Sequence, residues 1–282
     1  MTILLTACET PRARVTPLTD DYGDSIRLGP PARRVVSLSP AITEIIFTIG
    51  AGSRLVGRTK YDLWPDSARL VHSVGDGMRP NVEAILAVHP DLVVIYASQD
   101  NRPATLRLRA AGVNTLALRG DHIAEFRRVV QLLGAILGDS ARAKVVADSV
   151  YHTLDSVRTM TAALPRPTVF WHVWDAPVIT LGRGSFMSEL VDIAGGKNVY
   201  GDFPSPSVNV SLEDVSRRNP DVILAGPVGK QQIESDPRWR IIRAVREGRV
   251  LVVDTGVVAR PSVRLGEAAV LIANLLHPGS LR

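Results

Sequence analysis

The feature that most restricts the fold is a repeat placed on either side of one long helical stretch. Val82-Glu83-Ala84-Ile85 leads through His89-Pro90-Asp91 into the apolar run Leu92-Val93-Val94. At a constant offset of 130, Leu212-Glu213-Asp214-Val215 leads through Asn219-Pro220-Asp221 into Val222-Ile223-Leu224. A second echo pairs Thr43-Glu44-Ile45-Ile46 and Ile49-Gly50-Ala51-Gly52 with Ser188-Glu189-Leu190-Val191 and Ile193-Ala194-Gly195-Gly196. Each unit reads as a helix, a Pro-Asp break and a strand. Proline pushes the residue before it out of the helical region, and an unbroken Val/Ile/Leu run suits a parallel strand covered on both faces. Between the two series, Ser140 to Leu164 sets Ala143, Val146, Val150, Leu154 and Val157 at three-to-four spacing, and Pro165-Arg166-Pro167 stops it.

The pattern predicts an α/β fold of two Rossmann-like β/α lobes joined by a single long backbone helix, with a ligand cleft between the lobes. The expected divisions are residues 17–138 for the first lobe, 139–165 for the interlobe helix and 166–282 for the second lobe. A short hairpin fits Leu18 to Leu28 around Tyr22-Gly23-Asp24. Strands are expected at Arg34 to Leu38, Asp91 to Tyr96, Asn114 to Leu118 and Thr168 to Val173, and helices at Ala41 to Ile49 and Asp121 to Leu137. Ser39 is placed to cap the Ala41 helix, with Pro40 in its first turn.

The chain carries one cysteine, so an internal disulfide framework is impossible. It is Cys8, in Leu5-Thr6-Ala7-Cys8, where small residues preceded by Leu match the lipobox of bacterial lipoproteins. Residues 1–16 therefore read as a signal remnant, a lipid-modified Cys8 and a polar tether from Glu9 to Thr16. The stretch ahead of the cysteine is too short for a full signal peptide, so the true start of the signal lies upstream. The expected location is the periplasm or cell surface, anchored to a membrane by lipid.

Composition excludes other classes. With 45% hydrophobic and 22% charged residues and no long apolar run, the chain is neither disordered nor a polytopic membrane protein. The +5 charge comes from scattered residues, and only four of the 33 basic residues are lysine, which gives no continuous stripe for nucleic acid. The six histidines are dispersed, so no metal site is expected. Glycine pairs such as Gly182-Arg183-Gly184 lack the full phosphate-cradle pattern, Gly-Lys-(Ser/Thr) is absent, and Gly182 to Ser185 is no nucleophile elbow. A binding protein without enzymatic activity is the favoured reading, with a two-lobed α/β enzyme as the remote alternative.

Arg-Val-Val-Ser-Leu-Ser-Pro-Ala-Ile-Thr-Glu at Arg34 to Glu44, Val-Gly-x-x-x-Tyr-Asp at Val56 to Asp62, and the two Glu-x-(Ile/Val)-x4-Pro-Asp units resemble class III periplasmic substrate-binding proteins of ABC importers. The resemblance runs from about Pro17 to Leu276. It implies a monomeric, cofactor-free receptor for a small-molecule chelate such as cobalamin, haem or a ferric siderophore. It also implies delivery to a permease dimer in the inner membrane, and Glu83 and Glu213 match the glutamates that dock onto that permease.

Loops at the carboxyl ends of the strands are the expected ligand contacts. They offer Pro40, Ala41, Tyr61, Asp62, Trp64, the Asp76 to Arg79 loop and Tyr96 in the first lobe. The second offers Arg183 to Phe186, Phe203 to Ser207 and Val258 to Arg260. Strand alternation puts Phe170, His172 and Trp174 on one face and Trp171 on the other, making Trp174 the cleft candidate and Trp171 core. The chain resembles cobalamin-binding members at Pro40, Ala41, Tyr61, Tyr96 and Arg260. It departs from them at Gly77 and Ser207, where a cobalamin binder carries tryptophans. Cobalamin or a related corrinoid is thus the first expectation. Arg58, Arg79, Arg183 and Arg260 keep an anionic ferric siderophore open, and Tyr61 as an axial ligand keeps haem open.

Overall fold

The computed structural model describes residues 18–26 and 30–280, so Cys8 and its tether lie outside the described residues. The first lobe runs β1 (Leu18–Thr19), β2 (Ser25–Ile26), β3 (Val35–Ser37), α1 (Pro40–Thr48), β4 (Leu55–Gly57) and α2 (Val82–Ala87). It continues with β5 (Leu92–Tyr96), α3 (Arg102–Ala110), β6 (Asn114–Leu118) and α4 (Ile123–Ile136). The long α5 (Ser140–Thr161) follows.

The second lobe runs β7 (Thr168–His172), β8 (Trp174–Asp175), β9 (Val178–Leu181), α6 (Phe186–Ile193), β10 (Lys197–Asn198), β11 (Ser207–Asn209) and α7 (Leu212–Arg218). It closes with β12 (Val222–Ala225), α8 (Pro227–Ser235), α9 (Arg243–Arg246), β13 (Val250–Val252), α10 (Thr255–Val258) and α11 (Leu265–Leu276).

The repeat is a repeat of topology. One parallel sheet has the order β4-β3-β5-β6 and the other β10-β7-β12-β13, the same strand order in sequence and space. Smaller features recur at the same offset. Asn81 and Ser211 cap α2 and α7 by accepting from Ala84 N and Asp214 N, which satisfies one of the free amides at each helix start. His89 and Asn219 both take a positive φ, 46° and 47°, to end their helices before Pro-Asp. Asp91 then accepts from the amides of Arg33 and Arg34, and Asp221 from the amide of Thr168, so each aspartate ties the entry of the neighbouring central strand.

Strands buried on both faces explain the apolar runs, since every residue of β12 is buried. One core lies on the outer face of each sheet, around Val36, Val93 and Leu108 in the first lobe and Phe170, Trp239 and Ile223 in the second. A third, continuous core joins the inner faces through α4, α5 and α11. Ala143, Val150, Leu154 and Val157 of α5 are buried there, which makes that helix the spine between lobes. The β1–β2 hairpin docks on the β6 edge, where Asp21 N donates to Ala117 O at 2.9 Å.

Two local expectations need correction. Ser39 does occupy the N-cap of α1, yet its hydroxyl makes no capping bond. The strand expected through Val173 ends at His172, and Trp174 belongs to a separate antiparallel sheet, β11-β9-β8. Alternation therefore cannot be carried from Phe170 to Trp174, because the chain changes sheets between them.

Candidate functional site

Two adjoining cavities of about 510 and 280 Å³ share Ser39 and Tyr96 as walls. The larger lies between the lobes. Ala41, Ile42 and Ile45 of α1, Phe126 and Val129 of α4, and Ile95, Tyr96 and Leu118 at the strand ends form its first-lobe side. Gly184, Ser185, Phe186, Pro204, Pro206 and Pro261 close it from the second. The smaller cavity continues along the first lobe past Pro40, Thr59, Tyr61, Asp76, Gly77 and Met78. Both sit beyond the carboxyl ends of β3 and β5, where the sheet order reverses, the position that doubly wound sheets leave open for ligands.

The polar groups are few and mostly engaged. Tyr96 donates its hydroxyl to Asp121 Oδ1 at 2.7 Å. Burial, then that carboxylate, push its pKa up to about 12, so the phenol stays protonated across the physiological range. The loop carrying Tyr61 is pinned from beneath. Asp62, almost fully buried, accepts from Thr43 Oγ1 at 2.5 Å and from the hydroxyl and amide of Thr59. Burial pushes the Asp62 carboxyl up, against the pull of those hydrogen bonds. Asp62 is thus a buried staple for α1, and Tyr61 is the half-exposed group this staple presents to the smaller cavity, its hydroxyl 3.4 Å from Asp76.

Of the residues proposed from sequence, Pro40, Tyr61 and Tyr96 line the smaller cavity and Ala41 and Tyr96 the larger. Trp64 sits at the lobe junction with the Arg264 guanidinium 5.4 Å over its ring. Trp174 is 61% exposed, donates its indole N–H to Ala176 O at 3.1 Å and lines neither cavity. Trp171 is buried in the continuous core.

Arg260 reaches across the lobes to Glu44 at 3.2 Å. Arg58 spends its guanidinium on the backbone oxygens of Ala68, Thr59 and Arg69. Arg79 and Arg183 line other surface depressions, so the four arginines do not converge. Among the described residues lining the two cavities, Arg119 is the only arginine, with Asp121 and Asp76 as acidic groups.

Gly77 is required sterically, because a Cβ there would stand 2.2 Å from Leu38 O. No side chain, tryptophan included, fits this backbone at that position, and Met78 lines the wall beside it. Sequence reasoning missed Asp121, His122, Phe126 and Val129. The apolar stripe of α4 contained Phe126 and Val129, but which side of that helix met the second lobe was not local information. Glu83 and Glu213 both sit exposed in the first turns of α2 and α7. Backbone amides at the helix starts hold both carboxyls below their ordinary range; Arg107, 2.6 Å away, adds to the effect at Glu83, and Ser211 at Glu213. Among the described residues, no helix is long and apolar enough to cross a membrane.

The family model of the periplasmic binding protein matches residues 35–255, most of the chain and both sheets. The chain belongs to the periplasmic binding protein family. Among curated proteins it is 27% identical over 281 residues to an uncharacterized ABC transporter substrate-binding lipoprotein of Bacillus subtilis, covering 96% of this chain and 89% of that one. It is 26% identical over 250 residues to a vitamin B12-binding protein of Vibrio cholerae, covering 87% and 90%. The crystal structure of a periplasmic vitamin B12 binding protein of Vibrio cholerae superposes with a TM-score of 0.78 at 26% identity, covering 87% of this chain and 97% of that one. A periplasmic haem-binding protein of Pseudomonas aeruginosa matches the fold with a TM-score of 0.81 at 22% identity, covering 88% and 94%. Two lobes and an interlobe cavity in this family make the chain a solute-binding protein.

Proposed function

We propose that the protein is the extracytoplasmic substrate-binding component of an ABC importer and that it takes cobalamin or a related corrinoid. The observation that carries the corrinoid reading is the charge of the cavity wall. An anionic ferric chelate calls for convergent guanidinium groups. Here Arg58 is spent on backbone oxygens and Arg260 on Glu44 and the Tyr61 carbonyl, while Arg79 and Arg183 lie outside both cavities. A wall of Ala41, Ile42, Ile45, Phe126, Val129 and three prolines, with polar groups at Tyr96, Asp121, Tyr61 and Asp76, suits a large, nearly neutral ligand with amide edges. The likeness to vitamin B12-binding proteins supports the same reading.

Pro40, Ala41, Tyr61 and Tyr96 are the proposed ligand contacts, with Trp64 and Arg260 shaping the lobe junction. Tyr96 keeps its proton and donates it to Asp121 Oδ1, which does not suit a ligand to haem iron. Haemin binding through the half-exposed Tyr61 is the outcome that titration with haemin separates. Glu83 and Glu213 are the proposed docking acids for the permease, and Cys8 the proposed lipid attachment site. Binding, docking and release make up the mechanism, with no covalent step. Tryptophan-fluorescence titration of the purified protein with cyanocobalamin, cobinamide, haemin and a ferric siderophore tests the reading. Saturation by a corrinoid is expected; saturation by haemin or the siderophore alone would overturn it.

A further inference from the structure

The second sequence echo placed Glu44 and Glu189 at matching points of the two lobes, in α1 and α6, without giving either a role. The structure shows that each reaches into the other lobe. Glu44, 1% exposed, takes Arg260 Nη1 at 3.2 Å and the Ser262 hydroxyl at 2.5 Å, both from the segment ahead of α11. Glu189 takes His122 Nδ1 at 2.5 Å and the backbone amide of Ile123 at 3.0 Å, at the start of α4. Beside it, Phe186 N donates to Asp121 O at 3.1 Å. The two contacts bracket the larger cavity, because Pro261 lies between Arg260 and Ser262, while Asp121, His122 and Phe186 line the wall at the other.

We infer that Glu44 and Glu189 are positioning residues: a reciprocal pair of interlobe clasps that hold the lobes at the separation the cavity needs before any ligand arrives. Glu44 is buried, so its bonds to Arg260 and Ser262 are strong and directional. Glu189 and His122 are partly exposed, and that clasp takes its direction from the Ile123 amide; together the two restrict rotation about the spine formed by α5. Two clasps on opposite sides of one cavity restrict both opening and twist, which a single helix cannot do. The binding-competent fraction of the free protein stays high, and the apparent affinity escapes the penalty of a rarely populated closed state. The effect on affinity rests on the proposed function; the effect on lobe separation does not.

The test uses the full chain with Cys8→Ser, which removes the native thiol, and spin labels at Leu106→Cys and Val228→Cys, exposed positions in α3 and α8. Interlobe distances are measured by double electron–electron resonance without ligand, in this background and with Glu44→Gln and Glu189→Gln together. The double variant is expected to lengthen and broaden the distance distribution. It should also slow cyanocobalamin association about tenfold while leaving dissociation unchanged, a cost of about 1.4 kcal/mol. A distribution unchanged in folded double variant overturns the proposal, as does a melting-temperature loss with no change in distance. If the double variant does not fold, Ser262→Ala, which deletes one hydroxyl, is expected to broaden the distribution partly, and an unchanged one overturns the proposal equally. Should the unaltered protein bind no corrinoid, the ligand assignment fails while the distance measurement still decides this one.

Discussion

The second-lobe wall of the cavity depends on a glycine, and that dependence has a calculable size. Gly182 follows β9 and lies against the loop from Phe203 to Pro206 through three backbone bonds: Gly182 N to Pro206 O at 3.2 Å, Arg183 N to Phe203 O at 2.9 Å and Gly184 N to Ser205 O at 3.3 Å. A Cβ at Gly182 would stand 2.1 Å from Ser205 O and 2.9 Å from Phe203 O. Both obstacles are backbone oxygens, which cannot rotate aside. Ordinary C···O contact needs about 3.3 Å, so the loop must retreat by roughly 1 Å. Overpacking of this kind costs about 1–3 kcal/mol. For a chain of 282 residues that lowers the melting temperature by about 2–5 °C. Because Pro204 and Pro206 move with the loop, ligand affinity falls as well. Gly120→Ala is the matched comparison for stability, since its Cβ would find only Pro261 Cγ at 3.8 Å. Because Gly120 itself lines the larger cavity, its titration is read only against its own melting curve. Differential scanning fluorimetry and ligand titration of both variants decide the matter. A Gly182→Ala protein that melts within 1 °C of the parent and binds with unchanged affinity would refute the steric reasoning.

Reversing both docking charges, Glu83→Arg with Glu213→Arg, is expected to abolish uptake in reconstituted vesicles while ligand affinity stays within twofold; full uptake would contradict the docking role. Trp239→Ala removes a side chain 1% exposed and packed on Phe170 and His172 at 6.1 and 5.4 Å, and should destabilise the second lobe by about 3–5 kcal/mol in urea unfolding. Tyr61→Ala should weaken ligand binding several-fold, whereas Trp174→Ala, outside both cavities, should leave it within twofold in the same titration. Arg102 and then Arg109 hold the Asp24 carboxyl below its ordinary range. A lowered folded pKa means stabilisation that is complete above about pH 5 and is lost as pH falls through the folded value. Thermal melts between pH 7 and 3 should therefore decline less steeply for Asp24→Asn than for the parent; parallel declines would contradict the assignment.

The architecture was legible because its determinants are local and occur twice. A helix capped at Asn81 or Ser211, ended at His89 or Asn219 and followed by Pro-Asp and an apolar strand carries its own instructions, and the offset of 130 announces the second lobe. The stop at Pro165 and the apolar stripe of α5 announced the spine. Pro40, Ala41, Tyr61 and Tyr96 were legible as wall residues because they follow strand ends. What was not legible depends on partners far along the chain. Arg260 reads as a ligand contact in sequence and meets Glu44 only because the lobes face each other across 216 residues. Trp174 was misplaced in its strand because alternation gives no warning that a chain changes sheets. The roles of Arg58 and Asp62 turned on which backbone and hydroxyl groups surround them after folding.

The ligand proposed for the interlobe cavity is a large, nearly neutral corrinoid. Isothermal titration calorimetry with cyanocobalamin tests it most directly, run at low salt and again at about 0.5 M, where charge interactions between exposed groups are screened within roughly 4 Å. A saturable one-to-one isotherm with affinity changed less than threefold by salt is the predicted result. No heat from cyanocobalamin, alongside stoichiometric and strongly salt-dependent binding of a ferric siderophore, would contradict it.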